Sequence, residues 1–267
     1  MFIHFPSPML SQIWSQLAQM IFENYSNGYY NDCVIIAPHK ILNGLEYYKN
    51  LYPNSKMIAY QTEEIGRMFS DELLVRSLRN FDEVWDYDLD NIEILNRYGI
   101  QAKFKPYQYT NVLKTVQNRE NPDIDVLFIG SPTKSRGDFF EDFNFRCVIP
   151  ENEMNEYLNY KFVTAFQVYG EMKDELTSRA KIILTLPQFP NGVQPQARIA
   201  TDLINNKCIL SQKSKRNYYD DLIVEFNDAN DCAAKIRYLI RDDNWRKFTN
   251  YSFKDYCDKK YKELNNA

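Results

Sequence analysis

Short apolar runs bounded by turn residues recur along this chain, and helical patterns alternate with them. Residues 32–37 (DCVIIA), 56–60 (KMIAY), 83–85 and 102–105 are too short for helices. The first two have almost no polar alternation, so they read as strands buried on both faces, the signature of a parallel sheet covered by helices. A shorter run at 2–5 precedes them and stops at Pro6. Between the runs, Leu10, Ile13, Trp14, Leu17, Met20 and Ile21 share one helical face. Further helices are expected over 41–51, from an N-cap at Ser70, and over 91–98, where Gly99 closes the last turn. About five strand–helix alternations fit into the first 110 residues or so, which predicts an α/β unit with helices on both faces of its sheet.

The alternation then pauses and restarts. Residues 110–121 are polar, end in Asn-Pro and read as a linker. After them comes 125–137, DVLFIGSPTKSRG. A buried strand ends in Gly130 and Ser131, a polar loop carries Lys134 and Arg136, and a helical pattern follows. In open α/β sheets this arrangement turns backbone N–H groups and a helix N-terminus toward a phosphate. Beyond it we expect a helix over 138–143, strands at 145–149 and 181–186 (KIILTL), and a Pro- and Gly-containing loop at 187–194. A helix over 196–205 follows, then strands at 208–211 and 222–226 and a helix over 233–241 capped by Asp228 or Asn230. Residues 153–160 carry no clear pattern, and the aromatic tail at 245–264 reads as helical. The predicted division is one Rossmann-like domain over 1–115, a second over 122–250, and a C-terminal helix over 251–267 that can cross back to the first.

Composition narrows the function classes. The formal net charge is −4 and the pI about 5.4, which argues against strong nucleic-acid binding because phosphate-backbone binders carry a basic excess. Five cysteines, none in a CxxC pair, read as reduced thiols of a cytoplasmic protein. The opening residues lack a signal-peptide pattern, and no run of about 18 apolar residues could span a bilayer, which leaves peripheral membrane contact open. His4 and His39 are the only histidines and have no ligand-spaced neighbours, so no metal is expected. Asp86, Asp88 and Asp90 lack the Gly and distal Glu of a calcium loop. There is no P-loop, no GxGxxG and no GxSxG.

Several segments in order resemble the two-domain GT-B glycosyltransferases, of a small family-1-like type. YQTEE at 60–64 precedes FDEVWDYDLDNIEIL at 81–95, which is similar to a first-domain strand ending in a VWDYS-type loop. DVLFIGS at 125–131 opens the second domain. SRAKIILTLPQF at 178–189, followed by QPQARIATDLINNKCILSQ at 194–212, resembles the AKIVLNIH…E…R…LANKKCVISE pattern. The resemblance implies two Rossmann-like domains facing each other across a cleft, with a nucleotide-sugar donor held mainly on the second and the acceptor, a glycan or glycolipid, on the first. Gly130 and Ser131 would approach the donor diphosphate. Lys134, Arg136 and Arg198 would neutralise it without a metal, and no cofactor is implied. Where the family has an acid three positions before the Arg, this chain has Pro195, so Gln194 or Gln196 would stand in as hydrogen-bonding partner.

An inverting transfer needs a general base beside the acceptor hydroxyl, whereas a retaining one does not. Glu63 and Glu64 follow a buried strand at its carboxyl end, where open α/β sheets place their sites, and are the leading candidates. His4, Asp86 and Asp90 are further candidates, with packing and helix capping as their ordinary roles. The sequence therefore points to transfer of a sugar from a nucleoside-diphosphate donor to a hydroxyl. A non-catalytic GT-B-like binding protein and a nucleotide-sugar epimerase stay open, and a DNA-base acceptor is disfavoured by the acidic charge.

Overall fold

A computed structural model describes residues 1–4, 11–29, 31–37, 45–65, 71–147, 161–165, 168–189 and 192–262. The chain divides into two compact units. One holds Met1–Val112 with the C-terminal segment from Tyr256, and the other holds Leu113–Asp255.

The first unit is a five-stranded sheet of β1 (Phe2–His4), β2 (Cys33–Ile36), β3 (Met57–Gln61), β4 (Glu83–Asp86) and β5 (Ala102–Phe104), all pairs parallel and in chain order. Every residue of β2, β3 and β4 is buried, the apolar runs of β2 and β3 as expected and β4 with the charged Glu83 and Asp86 at its ends. Helices cover both faces. Cys33, Ile35 and Met57 pack with Leu45 of α2 (Leu45–Leu51). Ala59 and Val84 pack with Leu74, Val75 and Leu78 of α3 (Asp71–Leu78) and Leu95 of α4 (Leu89–Arg97). On the opposite face, Tyr25 of α1 (Ser11–Tyr25) meets Trp85 edge-on, with ring centroids 5.9 Å apart. Its hydroxyl donates to the Pro106 carbonyl, so α1 also pins the chain leaving β5.

The second unit has β6 (Ile124–Ile129), β7 (Phe162–Ala165), β8 (Ala180–Thr185), β9 (Cys208–Gln212) and β10 (Val224–Phe226), again all parallel, in the order β10-β9-β8-β6-β7. Its helices are α5 (Lys134–Cys147), α6 (Gly170–Arg179), α7 (Gln196–Ile204) and α8 (Ala229–Ile240). The chain leaves β6 for β7 on one side and returns to β8 on the other. The strand order therefore reverses between β6 and β8, and α/β sheets open a ligand crevice at such a point.

Three local expectations are corrected. The strand expected at 145–149 falls on α5 as far as Cys147, and the strand beside β6 is Phe162–Ala165 instead. A short aromatic run such as FNFRC fits a helix face as well as a strand, and periodicity cannot separate the two. The tail is not one helix. A 3-10 segment at Arg241–Phe248, with Asp242 and Asp243 in left-handed conformation, precedes α9 (Phe253–Lys260). The stretch read as a linker is fastened down from its first turn. Asn205, which ends α7, donates to the Leu113 carbonyl at 2.7 Å and accepts from Val116 N–H at 2.9 Å. The Ser70 cap and the 153–160 stretch lie outside the described residues.

Candidate functional site

The carboxyl ends of β6 and β8 in the second unit carry most of the expected donor residues. Gly130 closes β6, and its N–H donates to the Ala165 carbonyl of β7. A Cβ at Gly130 would sit 2.7 Å from the tip of the Phe128 ring and 3.3 Å from Arg136 Nη1, so only glycine leaves room for both. Ser131 is exposed, and its carbonyl accepts from Arg136 Nη1 at 2.8 Å. Thr133 begins the turn into α5, where its carbonyl accepts from Gly137 N–H. Lys134, the first residue of that helix, is exposed.

Arg136 is the pivot of this edge. Only 5% of its surface is exposed. Besides the Ser131 carbonyl it donates to those of Pro187 (3.1 Å) and Leu186 (2.9 Å), and its guanidinium lies over the Phe128 ring. It thereby ties the loop after β6 to the loop after β8, across the reversal point of the sheet. Among the described residues no carboxylate pairs with it. Burial, with the charge of Arg198 added, pushes its pKa down to about 10.

The charge of Arg198 is the second of the two influences that lower the Arg136 pKa, after burial. Arg198 sits in the first turn of α7, where the helix dipole already disfavours a cation. Its Nη1 is buried without a hydrogen-bond partner among the described residues, and burial lowers its pKa. Asp202, one turn on, opposes that shift but forms no ion pair with it. The side-chain oxygen of Gln194 accepts from Tyr218 N–H at 3.0 Å, and its Nε2 is buried and unpartnered among the described residues. Gln196 is equally buried, and its carbonyl accepts from the Tyr219 hydroxyl. Thr185, the last residue of β8, keeps a buried Oγ1 with no partner among the described residues. Buried polar groups in proteins are almost always satisfied, and in this unit Arg198 Nη1, Gln194 Nε2 and Thr185 Oγ1 are three that have no partner among the described residues. Thr185 had no sequence signal beyond its place at a strand end.

In the first unit, Glu63 and Glu64 lie in the loop after β3, and both are partly exposed. The Glu63 carbonyl accepts from Asn91 Nδ2 at 2.9 Å. Next to them the structure places a group that sequence reasoning ranked lower. Asp86 ends β4, fully buried, directly beside Gln61 at the end of β3. Its Oδ1 accepts from Asp88 N–H (2.8 Å) and Asn91 Nδ2 (3.2 Å), while Oδ2 has no partner among the described residues. Burial, reinforced by the Asp88 carboxylate, holds its pKa well above the ordinary range. Asp90 lies in the first turn of α4, whose cap is Asp88. His4 packs against Tyr48 and bonds the Tyr52 hydroxyl, the packed role. Among the described residues no group of three His, Cys, Asp or Glu side chains could hold a metal ion.

No protein-family model matches the sequence, and no curated protein matches it. Its likeness to known proteins lies in the fold. It is similar to S. aureus TarM in complex with fondaparinux, alpha-GlcNAc-glycerol and UDP, with a TM-score of 0.60 and 12% identity over 88% of this chain. It spans only 54% of that TarM chain. It is also similar to an alpha-glucosyltransferase in complex with UDP-glucose and DNA containing an abasic site, at TM-score 0.54 and 12% identity, covering 93% of this chain and 84% of that one. A UDP-forming alpha,alpha-trehalose-phosphate synthase from Burkholderia vietnamiensis matches at TM-score 0.52 and 10% identity, over 99% and 79% of the two chains. What is shared with these proteins is the α/β fold, which in this chain takes the form of two parallel five-stranded sheets. Among the described residues no helix is long and apolar enough to cross a membrane.

Proposed function

We propose that this chain is a glycosyltransferase that takes a sugar from a nucleoside-diphosphate donor and delivers it to a hydroxyl of a glycan or glycoconjugate. The observation that carries the reading is that the second unit holds two guanidinium groups without carboxylate partners among the described residues, the buried Arg136 on the loops after β6 and β8 and the half-buried Arg198 in the first turn of α7, whose Nη1 is enclosed and unpartnered among those residues. Two guanidinium groups without carboxylate partners are costly to bury unless an anion completes them. A diphosphate supplies such an anion, and it is the leaving group whose growing charge must be stabilised during sugar transfer. Arg136, already locked on three carbonyls, is preorganised. Arg198 has a hydrogen-bonding nitrogen to spare. Gln194 Nε2 and Thr185 Oγ1 offer neutral donors to the ribose or sugar. In this reading the positive charge comes from the protein and no metal is needed. Exposed Lys134 adds to the field at the rim, and the Ser131 loop approaches the diphosphate.

Complexes of fold relatives with UDP and with UDP-glucose support the donor class. The acidic net charge favours a glycan acceptor over DNA. A second reading, a binding protein without turnover, is favoured by the absence of a carboxylate at 194–196 (Gln194, Pro195, Gln196). Incubating the full chain with UDP-, GDP- and dTDP-sugars and a panel of glycosides, followed by mass spectrometry, separates the two. A glycosylated product supports transfer. Nucleotide binding without product or hydrolysis supports the second reading, and binding of none of these nucleotides overturns both.

A further inference from the structure

The helix that carries Arg198 starts without an ordinary cap. Pro195 stands at its N-cap position, and no side chain there closes the first turn. Proline lacks the side-chain oxygen with which Ser, Thr, Asp or Asn accept from the first helical N–H groups. Its carbonyl accepts from Arg198 N–H and Ile199 N–H, both at 3.1 Å. What fixes this start comes from elsewhere in the second unit. The turn over residues 217–222, ahead of β10, grips the chain on either side of Pro195. On one side Tyr218 N–H donates to Gln194 Oε1 at 3.0 Å. On the other the Tyr219 hydroxyl donates to the Gln196 carbonyl at 2.9 Å. Gln194, Gln196 and Tyr219 are all buried, so water competes little for these bonds. The turn itself is closed. Asn217 Oδ1 accepts from Tyr219 N–H at 2.8 Å, and its Nδ2 donates to the Asp220 carbonyl and to Glu225 Oε2 of β10, each at 3.1 Å. The Tyr219 ring lies against Phe253, with centroids 6.0 Å apart. Backbone and ring are thus held, and the hydroxyl is aimed at the helix.

We propose that Tyr219 is a positioning residue for Arg198, acting through the first turn of α7. Its hydroxyl sets where the Gln196 carbonyl sits, and Arg198 lies two residues further along the same turn. A binding side chain works only while its supporting shell holds it to within about 0.5 Å of the productive geometry. A helix start with no cap of its own cannot supply that precision, and the tyrosine does. Phenylalanine would fill the same space and keep the contact with Phe253, so packing alone does not ask for the hydroxyl. Tyr219 itself does no chemistry. That Arg198 meets a diphosphate rests on the transferase reading, whereas the hold of Tyr219 on the helix does not. The other end of the same helix offers a comparison. There the Tyr251 hydroxyl reaches the carbonyls of Leu203 (3.4 Å) and Lys207 (3.2 Å), away from the turn that carries Arg198.

The test is calorimetric titration of UDP into the full chain carrying Tyr219→Phe, Arg198→Ala, both together, or Tyr251→Phe. Tyr219→Phe should weaken UDP binding by about threefold or more, within the range of one hydrogen bond. In the Arg198→Ala background the same replacement should cost nothing further, because a group that acts through Arg198 has nothing left to position. Tyr251→Phe should lower Tm and leave UDP affinity unchanged. Equal affinity in wild type and Tyr219→Phe overturns the proposal. So does an equal loss with and without Arg198, or a loss in Tyr251→Phe as large as that in Tyr219→Phe, since affinity would then follow the stability of the helix as a whole. Amide exchange of the unliganded chain reads the hold without UDP. Tyr219→Phe should speed exchange at Arg198 and Ile199 by about tenfold and leave the β8 and β9 amides as they were. Unaltered exchange at Arg198 and Ile199 overturns the proposal. A wild-type chain that binds no UDP, with exchange responding as expected, sinks the transferase reading and supports the hold of Tyr219 on the helix.

Discussion

At the scale of single residues, the molecule is organised by polar groups that its own fold leaves incomplete. Gly130 shows how narrow the tolerance is. The hydrogen it carries in place of a Cβ leaves room for both the Phe128 ring and the Arg136 guanidinium. Gly130→Ala should cost about 1–3 kcal/mol by overpacking and should lower nucleotide affinity, because the displaced group is either a core ring or the guanidinium itself. Chemical denaturation and nucleotide titration of the same variant check both halves. Asp86 makes a pH-dependent prediction. Its folded carboxyl titrates well above its unfolded value, so the native state holds the proton more tightly. That contribution to stability is complete below about pH 3.9 and is lost as pH rises through the folded pKa. Asp86→Asn mimics the neutral acid, so it should raise Tm at pH 8 by about 2–4 °C and leave it nearly unchanged near pH 4. Thermal melts across that range decide, and an equal shift at both ends would show that Asp86 is already ionised in the fold.

At the scale of elements, the strands were the legible part of the sequence and the connections were not. The apolar residues of DCVIIA, KMIAY, DVLFI and KIILTL became almost wholly buried parallel strands because runs without a polar face have nowhere to go but between two helix layers. β7 escaped notice because Phe162–Ala165 is a half-buried edge strand with no such run. The segment after Val112 looked like a linker because nothing local in its polar sequence reveals that Asn205, almost a hundred residues later, bonds it from both sides. Asn205→Ala leaves Val116 N–H and the Leu113 carbonyl without these partners. It should therefore cost about 2 kcal/mol and speed amide exchange at Val116 more than in β6 or β8. Equal protection at Val116 in wild type and variant would show that the segment is held by something else.

At the scale of the whole molecule, the two sheets have the same number of parallel strands but different topologies. The first runs β1 to β5 in chain order and has no reversal point, whereas the second reverses between β6 and β8. Only the second therefore has the kind of reversal at which α/β proteins place phosphates, and Arg136 bridges the loops on either side of it. The sequence made that place visible through Gly130, Ser131 and the helix that opens with Gln196. It could not show that Arg136 is committed to three carbonyls while Arg198 keeps a nitrogen unpaired. Which carbonyls face a guanidinium depends on how β6 and β8 are juxtaposed, and the register of distant strands leaves no local mark on sequence. The central claim is that a nucleoside diphosphate completes this pair. Calorimetric titration of UDP into the wild-type chain and into Arg198→Ala tests it most directly. Saturable binding to the wild type, weakened at least tenfold in a variant that keeps its folded circular-dichroism spectrum, is the predicted result. Equal affinity in the two proteins would contradict it.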